Sequence, residues 1–367
     1  MPDIELVNKW TPEESFRAAA VRGTFDFEDA EVEHRIECEF PIDEKPWKIG
    51  AIIGASGSGK TTVARDQFES DLVDFDKMRW HGSKSFIDSY PKGLKIEDIT
   101  AALSSVGLSS PPDWLKPYRL LSNGQKFRAA MARSLLSKKG GTLVVDEFTS
   151  VVDRQVAKAC CVALNKHLNR KDDAPRFVAV SCHHDIVEFL RPDWVLDLDE
   201  KRFTWCGRIP KPSFRIVIRP AEKSVWGYFR RHHYLSHTLA SSCKCFVAFM
   251  IGEDGQETPV AFTSYLRQPH ARAKNIMREH RTVVLPDYQG LGLGVRLADW
   301  LANKLVTNGW RFTSVTSHPA MIAYRQRSEN WVCRREASHT SSGSAHAKIH
   351  NNSGSQRRLT YSFEYKL

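Results

Sequence analysis

The stretch Gly54-Ala55-Ser56-Gly57-Ser58-Gly59-Lys60-Thr61-Thr62 leaves a chain of this kind few folds to choose from. It fits the pattern G-x-x-x-x-G-K-[ST], with Gly54, Gly59, Lys60 and Thr61 in the defining places and Gly57 as a further flexible point. Residues 49–53 before it read as a short buried strand, and residues 62–68 after it as the opening of a helix. In a strand–loop–helix setting the glycines let backbone N–H groups turn inward around a phosphate chain. The following helix aims its positive end at the same place. The pattern assigns Lys60 to the outer phosphates, Thr61 to Mg²⁺, and Ser56, Gly57, Gly59 and Thr62 to the cradle. The expectation is a nucleotide-binding α/β domain.

Bulk properties narrow the rest. The 367 residues are enough for two domains, and 41% hydrophobic content is enough for their cores. No apolar run approaches the roughly 20 residues that span a bilayer, and the acidic N-terminus lacks the order of a signal peptide. Eight scattered cysteines without a C-x-x-C suit reduced thiols and a cytoplasmic setting. The net charge of +10 is uneven: residues 211–367 hold 23 Lys+Arg against 10 Asp+Glu, leaving 30 against 33 in residues 1–210. That asymmetry makes the C-terminal half the one expected to face a polyanion.

In the first half, residues 16–48 alternate apolar and polar (Phe25, Phe27, Val32, Ile36, Phe40) and read as a small antiparallel sheet. Residues 70–120 are irregular, with Pro91, Pro111, Pro112 and Pro117 barring a long helix. Leu121-Ser122-Asn123-Gly124-Gln125 then opens a helix with Phe127, Met131 and Leu135 on one stripe. Residues 142–145 form a buried-type strand ending in Asp146 and Glu147. Asp146 suits the Mg²⁺ shell, and Glu147 could polarise a water against a γ-phosphate. Asp153 follows, and a strand over residues 177–180 ends in His183-His184.

In this order the glycine loop, LSNGQ, VVDEF, SVVD and strand-end histidine resemble the ABC ATPase superfamily over about residues 16–200. The resemblance implies ATP as ligand and Glu147 as catalytic base. It puts Ser122, Gly124 and Gln125 on the nucleotide of another subunit, with Asp153 at that contact. His183 or His184 would sense the γ-phosphate, His183 being favoured as the first residue past the strand end. An ATP-dependent homodimer follows from such a composite site. The interval before Ser122 is short for a transporter ATPase and offers no glutamine in the Q-loop position, so transport is not expected.

Residues 201–213 are basic and contain two prolines, placing a boundary near 210: residues 1–210 and 211–367. Beyond it, residues 215–219, 245–251, 258–266 and 281–285 read as strands, the middle two joined by Gly252-Glu253-Asp254-Gly255. Trp226 to His233 reads as an amphipathic helix. Gln289-Gly290-Leu291-Gly292-Leu293-Gly294 turns a strand into a helix carrying Leu297, Leu301 and Leu305 on one stripe. Such a turn exposes N–H groups to a pyrophosphate. The glycine register and the preceding hairpins disagree with a dinucleotide-binding unit. Q-x-x-G-x-G in this setting resembles the acyl-CoA loop of GNAT N-acyltransferases, an α+β fold.

That resemblance implies acetyl-CoA or another acyl-CoA at Gln289, Gly290, Gly292 and Gly294, with the main chain at Val283–Leu285 along the pantetheine. It implies Tyr324 as the acid for the departing thiolate, although Tyr324 precedes Trp331 by seven residues where the family usually has five. The box Arg230-Arg231-His232-His233-Tyr234-Leu235-Ser236, with His318-Pro319 and the basic charge, resembles the phage Mom DNA-modification proteins. This implies a nucleobase amine in DNA as acceptor, with His233 and Tyr234 facing it or moving its proton. His232, His233, Cys243 and Cys245 fit no standard zinc spacing. The alternatives are an acetyltransferase for a protein or tRNA amine, and a non-catalytic ATP-switched clamp.

Overall fold

The computed structural model describes residues 3–10, 15–25, 32–138, 140–170, 172–233, 238–252, 255–270, 273, 275–339 and 359–367. The chain divides into two compact units, one of residues 1–78 and 137–211, the other of residues 79–136 and 212–367. The second unit therefore takes a segment from inside the first half, a grouping that a linear reading of the chain does not reveal.

The first unit is built on a six-stranded sheet in the order β4 (Leu72–Val73), β5 (Thr142–Val145), β6 (Arg176–Ser181), β3 (Ile49–Ile53), β7 (Trp194–Asp197), β8 (Arg202–Trp205). All neighbours are parallel except β8, which runs antiparallel to β7. β3 and β5 are buried throughout, as their uninterrupted apolar runs require. β8, which the sequence did not mark as a strand, is held by Phe203 and Trp205 packing beside the buried Trp194. Gly50 is obligatory in β3, because a Cβ there would stand 2.0 Å from the Trp194 ring. Helices α2 (Lys60–Phe68), α6 (Arg154–Arg170) and α7 (Ile186–Leu190) connect the strands.

An antiparallel pair does precede this sheet, but its strands are β1 (Asp3–Trp10) and β2 (Val32–Glu39). Residues 16–25, expected as strand, are helix α1 (Phe16–Phe25). Its Ala18-Ala19-Ala20 run favours helix, and Ser15 Oγ caps it by accepting the Ala18 N–H at 3.1 Å. Ile4, Ile36 and Phe40 join the core with Trp194.

In the second unit, an arm contains α3 (Ile96–Ser105), the short α4 (Pro111–Trp114) and α5 (Asn123–Ser137). Trp80 stacks on Tyr118 at 4.2 Å, and Tyr90 Oη donates to Ala129 O, fixing the arm's interior. The rest is a seven-stranded sheet in the order β14 (Trp331–His339), β15 (Leu359–Tyr365), β13 (Arg311–Thr316), β12 (Ile276–Val284), β11 (Glu257–Arg267), β10 (Lys244–Ile251), β9 (Arg215–Ala221). Only β12 and β13 are parallel. Helices α9 (Leu293–Thr307) and α10 (Pro319–Arg327) accompany it, with Leu297, Leu301 and Leu305 buried as their spacing predicts.

The helix expected over 226–233 is one turn, α8 (Trp226–Phe229), followed by a 3₁₀ turn over Arg230–His232. Trp226 and Phe229 are buried, and the basic residues that follow supply no apolar side chain to hold another turn. Glu253, Asp254 and Tyr234 lie outside the described residues, as does most of the polar stretch 335–358.

Candidate functional site

Because β3, β5, β6 and β7 run parallel, their carboxyl ends bring the glycine loop, Asp146, Glu147, His183, His184 and Asp199 to one edge of the first sheet. Gly57 and Gly59 take φ of +84° and +90°, and Gly54 +153°, so the loop rests on conformations L side chains rarely adopt. Lys60 is buried and donates to Ala55 O at 2.6 Å. Among the described residues no carboxylate lies within ion-pair distance of it, so its charge is left for an anion. Ser58 Oγ is buried there without a partner. These features fit a nucleotide's phosphates, with the first N–H groups of α2 lacking helical acceptors. Thr61 follows Lys60 as the candidate for Mg²⁺ with Asp146.

Asp146 Oδ1 accepts the Glu147 N–H at 2.8 Å. Glu147 is exposed with φ +50°, and Thr149 is buried with φ +68°. Two such non-glycine residues cost about 1–3 kcal/mol each, the kind of strain that persists at working sites. Ser150 Oγ donates to the Glu147 carboxylate at 2.5 Å and fixes its direction. Asp153 is the N-cap of α6, accepting the Gln155 N–H at 2.8 Å. His183 is half-buried, its N–H on Ser181 Oγ at 3.1 Å. His184 is exposed, its ring 3.9 Å from Asp197 and 3.6 Å from Asp199. Asp199 in turn accepts the Ala55 N–H of the glycine loop at 2.9 Å. Sequence reasoning did not mark Asp199, whose place in the loop depends on β7 lying beside β3.

In the second unit, Ser122 and Gln125 form a reciprocal cap: Ser122 Oγ accepts the Gln125 N–H at 3.3 Å, and Gln125 Oε1 accepts the Ser122 N–H at 3.0 Å. This presents the Gly124 turn at the start of α5 in a fixed conformation.

The acyl-CoA candidate begins where β12 and β13 part. They pair only from Ile276–Arg278 to Arg311–Thr313, although β12 runs on to Val284. Leu285 donates its N–H to Val260 O at 2.9 Å. By alternation Val283 also faces β11, and the outward main-chain groups are those of Thr282 and Val284. The chain then turns through Pro286–Tyr288 to Gln289, with Gly290 at φ +90° and Gly292 at φ +82° capping α9. A Cβ on Gly294 would meet Val284 Cγ2 at 3.4 Å. The first N–H groups of α9 fit a pyrophosphate. The Gln289 side chain is bound to protein at both ends, with Oε1 accepting from Ser109 N at 2.7 Å and Nε2 donating to Val284 O at 3.1 Å.

Within the wedge between β12 and β13 lies a group the sequence did not show. Buried Arg325 donates to Glu279 Oε2 at 2.8 Å and to Ser314 Oγ at 2.6 Å, while Thr282 donates to Glu279 Oε1 at 2.6 Å. Burial pushes the Glu279 carboxyl upward, but Arg325 and the two hydroxyls outweigh it and hold it below the usual carboxylate range.

Tyr324 donates its hydroxyl to Asp299, which also accepts from Trp331 Nε1 at 2.7 Å. Burial and that hydrogen bond push the phenol up to about 12. Tyr324 thus holds its proton but is engaged with α9 rather than directed to a leaving group. His233 is buried with its ring 5.7 Å from Trp226, the surroundings of a packing residue. Tyr234 lies outside the described residues. Cys243 and Cys245 are buried with sulfurs 3.7 Å apart, and no metal-ligating cluster is found among the described residues. Nor is any helix among them long and apolar enough to cross a membrane.

Residues 211–327 match the acetyltransferase (GNAT) family. A curated relative, the aliphatic sulfonates import ATP-binding protein SsuB 2 of Pseudomonas syringae, is 30% identical over 129 residues, 30% of this chain. The chain spans 46% of that relative's own length. Among solved structures, a dimeric bacterial ABC transporter cassette is 16% identical, covering 44% of this chain and 84% of its own, with a TM-score of 0.34. The IAA acetyltransferase from Bacillus cereus is also 16% identical, covering 42% of this chain and 100% of its own, with a TM-score of 0.30. The chain joins an ABC-ATPase-like region to a GNAT-acetyltransferase-like region.

Proposed function

We propose that this chain is an ATP-dependent acyl-CoA N-acyltransferase whose acceptor is an exocyclic nucleobase amine, in DNA first of all. The observation that carries the reading is a pair of anion cradles of unlike design in one chain: a glycine loop around the buried, carboxylate-free Lys60, and the Gly290–Gly294 turn at the head of α9. The second lies in the half with 23 basic against 10 acidic residues. A polyanion held there would release counterions, so binding falls steeply with salt.

Acyl-CoA supplies the activated carbonyl, and transfer forms an N–C bond at the amine as the C–S bond breaks and CoA leaves as thiol. The α9 N–H groups hold the pyrophosphate, and the outward groups of Thr282 and Val284 line the pantetheine. At the other cradle Thr61 and Asp146 would hold Mg²⁺, and Glu147, aimed by Ser150, orients the water. Two copies close over ATP through Ser122 and Gly124 and separate on hydrolysis.

Mass spectrometry of nucleosides from cells expressing wild type or Gly292→Val tests the acceptor. The expected result is an acylated DNA nucleoside that vanishes with the variant. An acylated RNA nucleoside or protein amine would move the acceptor instead, and absence of any acyl-CoA turnover by the purified protein would refute the transferase.

A further inference from the structure

Resting on the acyltransferase reading, we infer that Arg128 is a positioning residue that joins the signature turn to the acyl-CoA loop, so that nucleotide state sets acyl-CoA affinity. Arg128 is buried on α5, one turn past Gly124. Its Nε donates to Gly124 O at 3.1 Å, inside LSNGQ. Its Nη1 donates to Gly107 O at 2.9 Å and to Pro286 O at 2.8 Å, the latter in the turn leading to Gln289. Nη2 stands 3.7 Å from Asp287. One rigid guanidinium thus holds a carbonyl of the signature turn and a carbonyl of the turn that leads into the acyl-CoA loop, and its planar fork is pre-organised where a lysine ammonium is flexible.

Three further points bind the same arm to the same loop. Ser109 N–H donates to Gln289 Oε1, and the other end of that amide donates to Val284 O on the outward edge of β12. His318 Nε2 lies 3.3 Å from Ser109 O, and since the carbonyl accepts, the proton is on Nε2. Gly107, at φ +82°, approaches so closely that a Cβ would stand 2.8 Å from Gln289 O. A shift of the first turn of α5, where Ser122 and Gly124 would meet the partner's nucleotide, therefore reaches both the turn at Pro286 and the strand edge at Val284. Coupling of this kind is reciprocal between the two ligands and typically amounts to about 5–150-fold in affinity.

Calorimetric titration of the full chain with acetyl-CoA, with and without a saturating non-hydrolysable ATP analogue and Mg²⁺, reads the coupling. In the wild type the analogue should change the acetyl-CoA Kd by about fivefold or more, and acetyl-CoA should change the analogue's Kd by the same factor. Arg128→Met should bring both factors to within twofold of unity while each ligand still binds alone. Arg128→Lys, able to reach one carbonyl, should retain part. If Arg128→Met does not fold by circular dichroism, Gly107→Ala, which wedges the arm from Gln289 O, takes its place. A wild-type factor below two, or an unchanged factor in the variants, overturns the inference and leaves the transferase reading standing. Failure of the wild type to bind acetyl-CoA at all, with or without nucleotide, removes both.

Discussion

Replacing Glu279 by Gln probes the wedge between β12 and β13 with almost no change of volume. The substitution leaves the Arg325 guanidinium, wholly buried, facing a neutral amide. At the observed 2.8 Å, and with an effective dielectric constant of about 20, the attraction removed is roughly 6 kcal/mol. Burying a carboxylate carries a desolvation penalty that the amide avoids, and this returns part of the loss. Measured cases of one partner removed from a buried pair settle at about 3–5 kcal/mol. Arg325→Met paired with Glu279→Leu removes both charges and should recover most of it, because the apolar replacements can pack against Trp331 and Phe363, which the guanidinium now covers.

Hydrogen exchange read on β12 and β13 peptides measures this without assuming one transition for two units. The protection free energy there should drop by about 3–5 kcal/mol in the single variant. The effect also has a pH signature. The folded carboxyl titrates below its usual 4.5, so its contribution is complete above that value and is lost as pH falls through the lower folded value. The Gln variant should lack that acid-dependent loss. A single-variant drop below about 1 kcal/mol, in the range of exposed pairs, would refute the argument that burial makes this pair strong.

Lys60→Ala should abolish ATP-analogue binding in calorimetry while acetyl-CoA binding persists; joint loss would mean that the two regions cannot be separated. Glu147→Gln should accumulate an ATP-bound dimer in light scattering, and a monomer at saturating ATP would count against a shared nucleotide site. Gly50→Ala forces a methyl into the Trp194 ring and should destabilise the first unit by about 3 kcal/mol or more, the upper end of overpacking effects, in exchange at β3. His280 accepts the Ala240 N–H at 3.1 Å, and burial with neighbouring Arg281 and Arg278 lowers its pKa to about 4. In NMR its ring should therefore stay neutral down to about pH 5; titration near 6.5 would show the ring in open solvent.

What could be read from the sequence was whatever is encoded by local period. β3, β5 and β6 announce themselves as apolar runs, α5 by its Phe127, Met131 and Leu135 stripe, and the glycine loop by positions where only glycine tolerates positive φ. What escaped is non-local. β2 falls inside the span read as an antiparallel sheet, but its partner β1 lies beyond an intervening helix, so the pairing could not be recognised from neighbours in sequence. Glu279 and Arg325 lie 46 positions apart, and no spacing relates a strand carboxylate to a helix guanidinium. Tyr324 fits a proton donor by its helix alone, whereas its partner Asp299 is supplied by α9.

Gln289 shows how a motif position can carry two constraints at once. Its place in Q-x-x-G-x-G assigns it to the cofactor, yet both ends of its amide are bound to backbone, one of them 180 positions away at Ser109. The amide offers an acceptor and a donor on one short planar head, as Ser109 N–H and Val284 C=O together require. Glutamate would set a carboxylate against the Val284 carbonyl, and leucine would leave both backbone groups without a partner. The glutamine is thus explained by the arm and the strand edge before any ligand enters.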